Sequence, residues 1–455
     1  MSTPSFFRRL VDSVAHPAER SRLERQAKRL LQLCHALLSE RGEVSGAALA
    51  RDALAAYDAL PDTALPFFLD RLVEEFSPDP AQLDQAYAAY HADPSQENLV
   101  RLQRAVEPPR QELFRRLNTA PGGTALLVNL RRRLIGTLKA RPAWRGIDAD
   151  LAHLFASWFN RGFLTLERID WQTPAIVLEK LIQYEAVHQI TGWDDLRRRL
   201  ENDRRCFAFF HPALPHEPLI FIEVALSRGM TSAIQPLLAL DAPTLDPEQA
   251  DTAIFYSITN CQEGLRGVSF GNLLIKQVAQ RLGQEFPRIK TFATLSPIPG
   301  FREWLTAVAD RLAEAPHGMS TLQALKKLDE TDWHKDETGA ESLRKVLMPL
   351  CACYLVNGAE GGHKVDSVAR FHLGNGARLE RINWLADTSS HAMQRSAGMM
   401  VNYLYRLNQV EENHEAYVRD HKVVASAEIR RLARECPLSP RRNVESRSAA
   451  AKPAS

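Results

Sequence analysis

The sequence predicts an α + α/β protein, a helical bundle followed by a second domain built on a mixed sheet. Three observations carry that expectation. Up to about residue 165 apolar residues recur at helical spacing, with proline-bearing breaks between the runs. Further on, short runs rich in β-branched and aromatic residues alternate with helical ones. One series, Ala253 to Ser296, reads as strand, loop, helix and strand, a β-loop-α-β unit with a helix packed on a sheet. At 455 residues the chain is too long for one compact core. Domains at 1–168 and 169–435 are therefore expected, with a disordered Pro/Ser/Ala-rich tail at 436–455.

In the first region "GGTALLVNLRRRLIGTLKA" shows the pattern. Leu127, Leu130, Leu134 and Leu138 share a face, and Arg131 to Arg133 read as a solvated stripe rather than a phosphate site. The breaks "SPDPAQ", "VEPPRQ" and "TAPGGT" cut the region into helices of ordinary length, and connections this short favour antiparallel neighbours. Trp171 to Pro174 mark the change of texture, with Thr173 placed as an N-cap before a proline. Strands are expected at "CFAFFH", "PLIFIEVAL", "AIFYSIT" and "KTFATLS". Between the last two, "GNLLIKQVAQRLGQEF" carries Leu273, Leu274, Val278 and Leu282 on one helix face.

Composition excludes several classes. The chain is 45% hydrophobic and 25% charged, and Lys+Arg 57 against Asp+Glu 55 leave a net charge of +2. That balance argues against a nucleic-acid binder. Six cysteines without a disulfide spacing fit a reducing, cytoplasmic setting. No apolar run approaches the roughly 18 residues that span a bilayer, so no membrane association is expected. The Arg-rich start, "SFFRRLVDSVAHPAERSRLERQAKRLL", includes Asp12, Glu19 and Glu24, whereas transit peptides are poor in acids. It reads as the first helices of the mature protein. The ending "AAAKPAS" is not a peroxisomal Ser-Lys-Leu signal.

Three stretches can carry chemistry. In "CQEGLRGVSFGNLLIK", Gly264, Gly267 and Gly271 lie between a strand and a helix start. Backbone N–H groups there can approach a pyrophosphate, and Arg266 adds a full charge. The spacing fits neither a P-loop nor a dinucleotide fingerprint; it comes closer to the acyl-CoA loop of GNAT-type acetyltransferases. The same stretch contains "GVSFG", a Gly-x-Ser-x-Gly pattern around Ser269. That pattern falls too far past the preceding strand for a nucleophile elbow. The second stretch is "TLSPIPGF", which sets Ser296 at a strand end, where ligands of open α/β sheets bind. The third runs from Val368 to Tyr405, where His372 sits in an apolar-alternating segment before a Gly-Asn-Gly turn. Asn375, Asn383, Asp387, Asn402, Tyr403 and Tyr405 add polar groups, as a binding pocket does. "CAC" at Cys351 to Cys353 lies in an apolar run and reads as buried core, and no metal is expected.

Together "EKLIQYEAVHQITGWDDLRRRL", "FYSITNCQEGLRGVSFGNLLIK", "FATLSPIPGF" and "FHLGNGARLERINWLAD" resemble the malonyl-CoA decarboxylase family, over Trp171 to Leu407. The resemblance implies a helical domain used in oligomer contacts, as a homotetramer or homodimer, and a GNAT-type catalytic domain binding malonyl-CoA. It implies Ser296 and His372 as the catalytic pair and Arg266, Gly267, Val268, Ser269, Phe270, Gly271 and Asn272 as the CoA-binding turn. Tyr405 is implied as a further substrate-binding residue. A malonyl thioester is its own electron sink, so neither a cofactor nor a metal is expected. Three other readings stay open on the residues alone: a GNAT-type acyltransferase, a hydrolase using Ser269, and a CoA-sensing protein without catalysis.

Overall fold

The computed structural model describes residues 17–268, 270, 274–316, 318–357 and 366–438. The segment before Pro17, the tail beyond residue 438 and Leu273 lie outside the described residues. The chain forms two compact units. One holds the residues up to Thr165 together with Phe209–Leu219 and Asn260–Phe270, and the other holds Leu166–Ala208, Ile220–Thr259 and the chain beyond Phe270.

The first unit is helical, and its breaks fall where the prolines require them. Helices end at Glu75, Val106 and Asn118, and new ones begin at Pro80, Pro109 and Gly123. Proline is tolerated in a first turn because the N–H it lacks has no intrahelical partner there. Asp79 caps the helix Pro80–Ala92 by accepting from the Ala81 N–H, and Ser95 caps Gln96–Val106 through Asn98. Leu127, Leu130 and Leu134 are buried, each removal from water contributing about 1.5–3 kcal/mol. Leu138 lies past the end of its helix, Gly123–Ile135.

Arg131 departs from the solvated stripe expected of it. It is buried, pairs with Asp148 at 2.8 Å, and donates to the carbonyls of Gly264 and Arg266 at 2.8 and 2.9 Å. A guanidinium presents its donors in a rigid fork, which suits it to bracing two carbonyls at once.

The second unit is organised by an eight-stranded mixed sheet of order β1-β2-β3-β4-β5-β8-β6, with β7 also on β8. The strands are β1 (Thr165–Ile169), β2 (Arg204–Phe210), β3 (Ile220–Ser227), β4 (Thr252–Asn260), β5 (Thr291–Thr294), β6 (Ser296–Pro297), β7 (Arg378–Asn383) and β8 (Met400–Leu404). β2, β3 and β4 are buried along nearly their whole lengths, which is why they read as continuous apolar runs rather than alternating ones. β4 and β5 are parallel and joined by the helix Leu274–Glu285, the crossover that parallel neighbours require. That helix buries Leu274, Ile275, Val278, Ala279 and Leu282.

Thr173 is not a cap. Pro174 precedes the helix Ala175–Tyr184, and the Thr173 hydroxyl accepts from the Asp170 N–H at 3.0 Å instead. Among the described residues no helix is long and apolar enough to cross a membrane.

Candidate active site

The site begins where the sheet parts. β4 pairs with β5 only over Thr252–Phe255 against Thr291–Thr294, with one more bond from the Leu295 N–H to the Phe255 carbonyl. The chain then resumes as β6, paired to β8 through Ser296 and Val401. A proline cannot donate to a ladder, and two of them in "SPIPG" end the strand at that point. Ser296 therefore lies just past the end of β5 and opens the two-residue strand β6, its backbone held against Val401, rather than closing a strand as its position in the sequence suggests.

His372 arrives from elsewhere. Apolar alternation around it points to extended chain, yet it lies in the last turn of the helix Ser367–Gly374. That helix begins with Asp366 as its N-cap, accepting from the N–H groups of Val368 and Ala369. The imidazole Nε2 lies 3.0 Å from Ser296 Oγ across a sequence separation of 76 residues. Its Nδ1 lies 2.8 Å from the Tyr405 hydroxyl, and its ring stacks on Tyr403 with centroids 4.6 Å apart. Ser296 Oγ donates in turn to Thr294 Oγ1 at 2.8 Å, and the Thr294 hydroxyl accepts from the Tyr403 N–H. If Ser296 gives its proton to Thr294, it must receive one from Nε2–H, which leaves Nδ1 to accept from Tyr405. Tyr405, Nδ1, Nε2, Ser296 and Thr294 thus form one directed chain of hydrogen bonds.

The chain is buried: His372 is 3% exposed, Ser296 6% and Thr294 0%. Burial pushes His372 down to about 3, so the imidazole is neutral at pH 7. The same cause pushes the Tyr405 and Tyr403 phenols well above their ordinary range. Desolvation disfavours whichever form is charged, and every member of the chain is held in its neutral state. Asn402 supports it from beneath, donating to the Thr294 carbonyl at 2.7 Å and accepting from Asn383 at 2.8 Å.

Two clefts lie nearby, one lined by Tyr405 and the other by the turn after Ser296, and neither is lined by Ser296 or His372. One of about 930 Å³ is lined by Tyr405, Phe292, Lys290 and Arg406 among others, and one of about 430 Å³ by Pro299, Gly300, Trp304 and Arg370 among others.

The glycine turn belongs to the helical unit. Arg266 is exposed there beside Glu263, Gly267 turns the chain at φ +80°, and the side chains of Val268 and Phe270 are buried. Positive φ at position 267 is the reason a glycine stands there. Ser269, Gly271 and Asn272 lie outside the described residues. Tyr405, expected to touch substrate, has its hydroxyl on His372.

Thr294 and Asp366 carry little sequence signal. An Asp before a short helical run is an ordinary cap, and a threonine in a strand is an ordinary strand residue. Glu185, inside the first family-like stretch, is a buried carboxylate that accepts from the N–H groups of Val187 and His188 and from Ser257 Oγ. Cys351 and Cys353 are buried, as their apolar run predicts.

Residues 162–444 match the malonyl-CoA decarboxylase C-terminal domain and residues 76–159 the malonyl-CoA decarboxylase N-terminal domain. The sequence is 39% identical over 347 residues to the mitochondrial malonyl-CoA decarboxylase of Anser anser anser, covering 71% of this chain and 69% of that protein. It is 37% identical over 354 residues to that of Mus musculus, covering 72% of each. The crystal structure of malonyl-CoA decarboxylase from Rhodopseudomonas palustris superposes with a TM-score of 0.84 at 50% identity, over 89% of this chain and 99% of that one. For the structure from Agrobacterium vitis the TM-score is 0.82 at 48% identity, with the same coverage. The chain belongs to the malonyl-CoA decarboxylase family.

Proposed function

We propose that this chain decarboxylates malonyl-CoA to acetyl-CoA and CO2, with Ser296 and His372 as the catalytic pair. One observation carries the reading: a serine at a strand end and a neutral histidine meet at 3.0 Å in a buried site. When the carboxylate leaves as CO2, its bonding pair passes to the α-carbon and is delocalised onto the thioester oxygen. The protein must then stabilise that oxygen and return one proton to carbon. On binding substrate the Ser296 O–H leaves Thr294 for the thioester oxygen, donates to it while the enolate forms, and then delivers that same proton to the α-carbon. His372 Nε2–H replaces the serine proton, Tyr405 O–H replaces the one lost by His372 and a solvent proton replaces the one lost by Tyr405 in the same relay, so that neither imidazolium nor tyrosinate stands alone in a site that disfavours charge. The thioester takes up the electrons, and the reading calls for neither cofactor nor metal.

Burial also removes water from the departing carboxylate, and its negative charge is better tolerated once dispersed into CO2 and an enolate. The turn at Arg266, Gly267, Val268 and Phe270, continuing through Ser269, Gly271 and Asn272, is read as the CoA cradle. Backbone N–H groups and the exposed Arg266 charge suit a pyrophosphate there.

The reading includes a cytoplasmic setting, supported by six cysteines that are all buried and show no disulfide-framework spacing. It also includes a homo-oligomer, tetramer or dimer, supported by the apolar surface that Tyr87, Val100 and Val106 leave exposed on the N-terminal helices. Light scattering on the purified protein measures the assembly.

Incubation with malonyl-CoA alone tests the activity. Trapped CO2 and acetyl-CoA in equal amounts are expected. Free CoA without CO2 would point to a hydrolase, and unchanged malonyl-CoA to a transferase awaiting an acceptor or to a binding protein. Ser296→Ala and His372→Ala test the pair, each expected to lower kcat by about 10²–10⁴-fold. Near-normal turnover in both would remove it.

A further inference from the structure

Ser296 and His372 belong to different elements, so something must fix the distance between them. Asp366 touches both supports. Its Oδ1 accepts from the Val368 N–H at 2.9 Å and the Ala369 N–H at 3.1 Å, starting the helix that presents His372. Its Oδ2 accepts from the Gly300 N–H at 3.1 Å, in the turn that follows Ser296, and from the Tyr354 hydroxyl at 3.4 Å. The carboxylate is 4% exposed. Four donors converge on it, a number that a buried carboxylate's lone pairs can accept and that offsets its desolvation.

The surroundings are fitted to this contact. A Cβ on Gly300 would stand 2.4 Å from the Tyr354 hydroxyl and 3.4 Å from Asp366 Oδ2. Only glycine leaves room for the N–H to reach the carboxylate while Tyr354 occupies its place. Tyr354 is fixed in turn by packing against Phe301 and Trp304, with ring centroids 5.9 and 5.2 Å away. These two residues begin the helix Phe301–Ala307, directly after the serine-bearing turn. Beside the Ser296–His372 contact itself, the turn is thus tied to the histidine helix through the Asp366 side chain.

We propose that Asp366 is a positioning residue, a clamp that sets the spacing of Ser296 and His372 by joining the turn after the one to the helix before the other. The proposal rests on the reading of Ser296 and His372 as the catalytic pair. Asp366 touches neither reacting group, so its effect runs through geometry, and a displacement of about 1 Å in a reacting group can cost about 10²-fold in rate.

The two functions of the carboxylate can be separated. Asp366→Ser keeps a good helix cap but is too short to reach Gly300 and Tyr354 as well. Asp366→Asn keeps shape and cap while facing the Gly300 N–H with an amide. The full-length enzyme should show kcat about 10²-fold lower in D366S and about 10-fold lower in D366N. KM for malonyl-CoA and affinity for free CoA should stay near wild type in both, while Tm falls by a few degrees in D366S as the Gly300 N–H and the Tyr354 hydroxyl lose their acceptor. Unchanged kcat in folded D366S overturns the clamp, and so does a loss of kcat matched by equal losses in Tm and CoA affinity. If D366S does not fold, D366N decides on the same criteria. Ser296→Ala is measured alongside: an inactive S296A with a fully active D366S removes only the clamp, whereas an active S296A removes the catalytic pair itself.

Discussion

Two polar clusters are buried in the sheet-bearing unit, and they are built on opposite principles. Around Ser296 the groups form a hydrogen-bonded chain with no formal charge, Thr294, Ser296, His372 and Tyr405. Around Glu223 the groups are ionic. Arg199 bonds Glu223 at 2.7 Å and Asp195 at 2.9 Å and also donates to the His188 carbonyl, while Arg198 and Arg204 close on Asp203. Burial pushes the Glu223 carboxyl up, with Arg199 working against it. The ionic cluster joins the helix Trp193–Arg199 to β3, a fixed connection between elements. The neutral chain runs through the Ser296 hydroxyl to Thr294, beside the parting of the sheet. Removing one ion of a buried pair strands the other, whereas a neutral chain can pass a proton along without holding a charge inside, provided that one enters at its far end as one leaves. That difference suits the one to scaffold and the other to the chemistry proposed for Ser296 and His372.

The comparison can be broken most sharply at His372. His372→Ala should lower kcat by about 10²–10⁴-fold and leave thermal stability within a few degrees of wild type. A variant that unfolds in the same measurement would make the neutral chain scaffold too. Arg199→Ala should do the reverse, costing about 3–5 kcal/mol of stability by leaving Glu223 and Asp195 without their cation. Its folded fraction should keep wild-type kcat in denaturant titrations paired with activity assays, and a selective loss of kcat would erase the distinction.

Tyr405→Phe probes the chain more gently. It removes one hydrogen bond, about 0.5–1.5 kcal/mol, so kcat should fall about 3–10-fold with KM unchanged. The expected effect of pH on kcat is smaller still. Because His372 is held at about 3, kcat should show no inflection near pH 6.5, and a clear break there would mean a protonated histidine in the mechanism. Stability should respond instead. Between pH 6.5 and about 3 the unfolded chain binds a proton at this position and the folded chain does not. Stability therefore rises with pH across that window and is lost as pH falls, by up to about 1.4 kcal/mol per pH unit from this group. The Glu223 carboxyl, raised by burial, works in the opposite sense between its unfolded and folded values. His372→Phe should flatten the His372 contribution.

Much of the architecture was legible because it rests on local chemistry. Prolines in "SPDPAQ" and "VEPPRQ" stop helices whatever surrounds them, and the apolar faces of Leu127 and Leu282 follow from helical spacing alone. Arg131 was not legible. Its partners are carbonyls 133 and 135 residues further along, and charges on a helix otherwise face water. Thr173 failed as a cap because Pro174 takes the cap position of Ala175–Tyr184, and the Thr173 hydroxyl turns back to accept from the Asp170 N–H.

The sequence by itself determined that the chain must leave regular strand structure close after Ser296, since Pro297 and Pro299 cannot donate to a ladder, and that a glycine-rich turn precedes the helix Leu274–Glu285. It also supplied a histidine before a Gly-Asn-Gly turn, and the family's motifs in their order. Only the tertiary structure decided that His372 is helical, that its Nε2 meets Ser296, that its Nδ1 meets Tyr405 and that burial keeps it neutral. Distances between groups 76 residues apart, and the water taken from around them, are properties of the packed chain. Backbone propensity acts over a few residues, while a proton's position is set by everything that surrounds it.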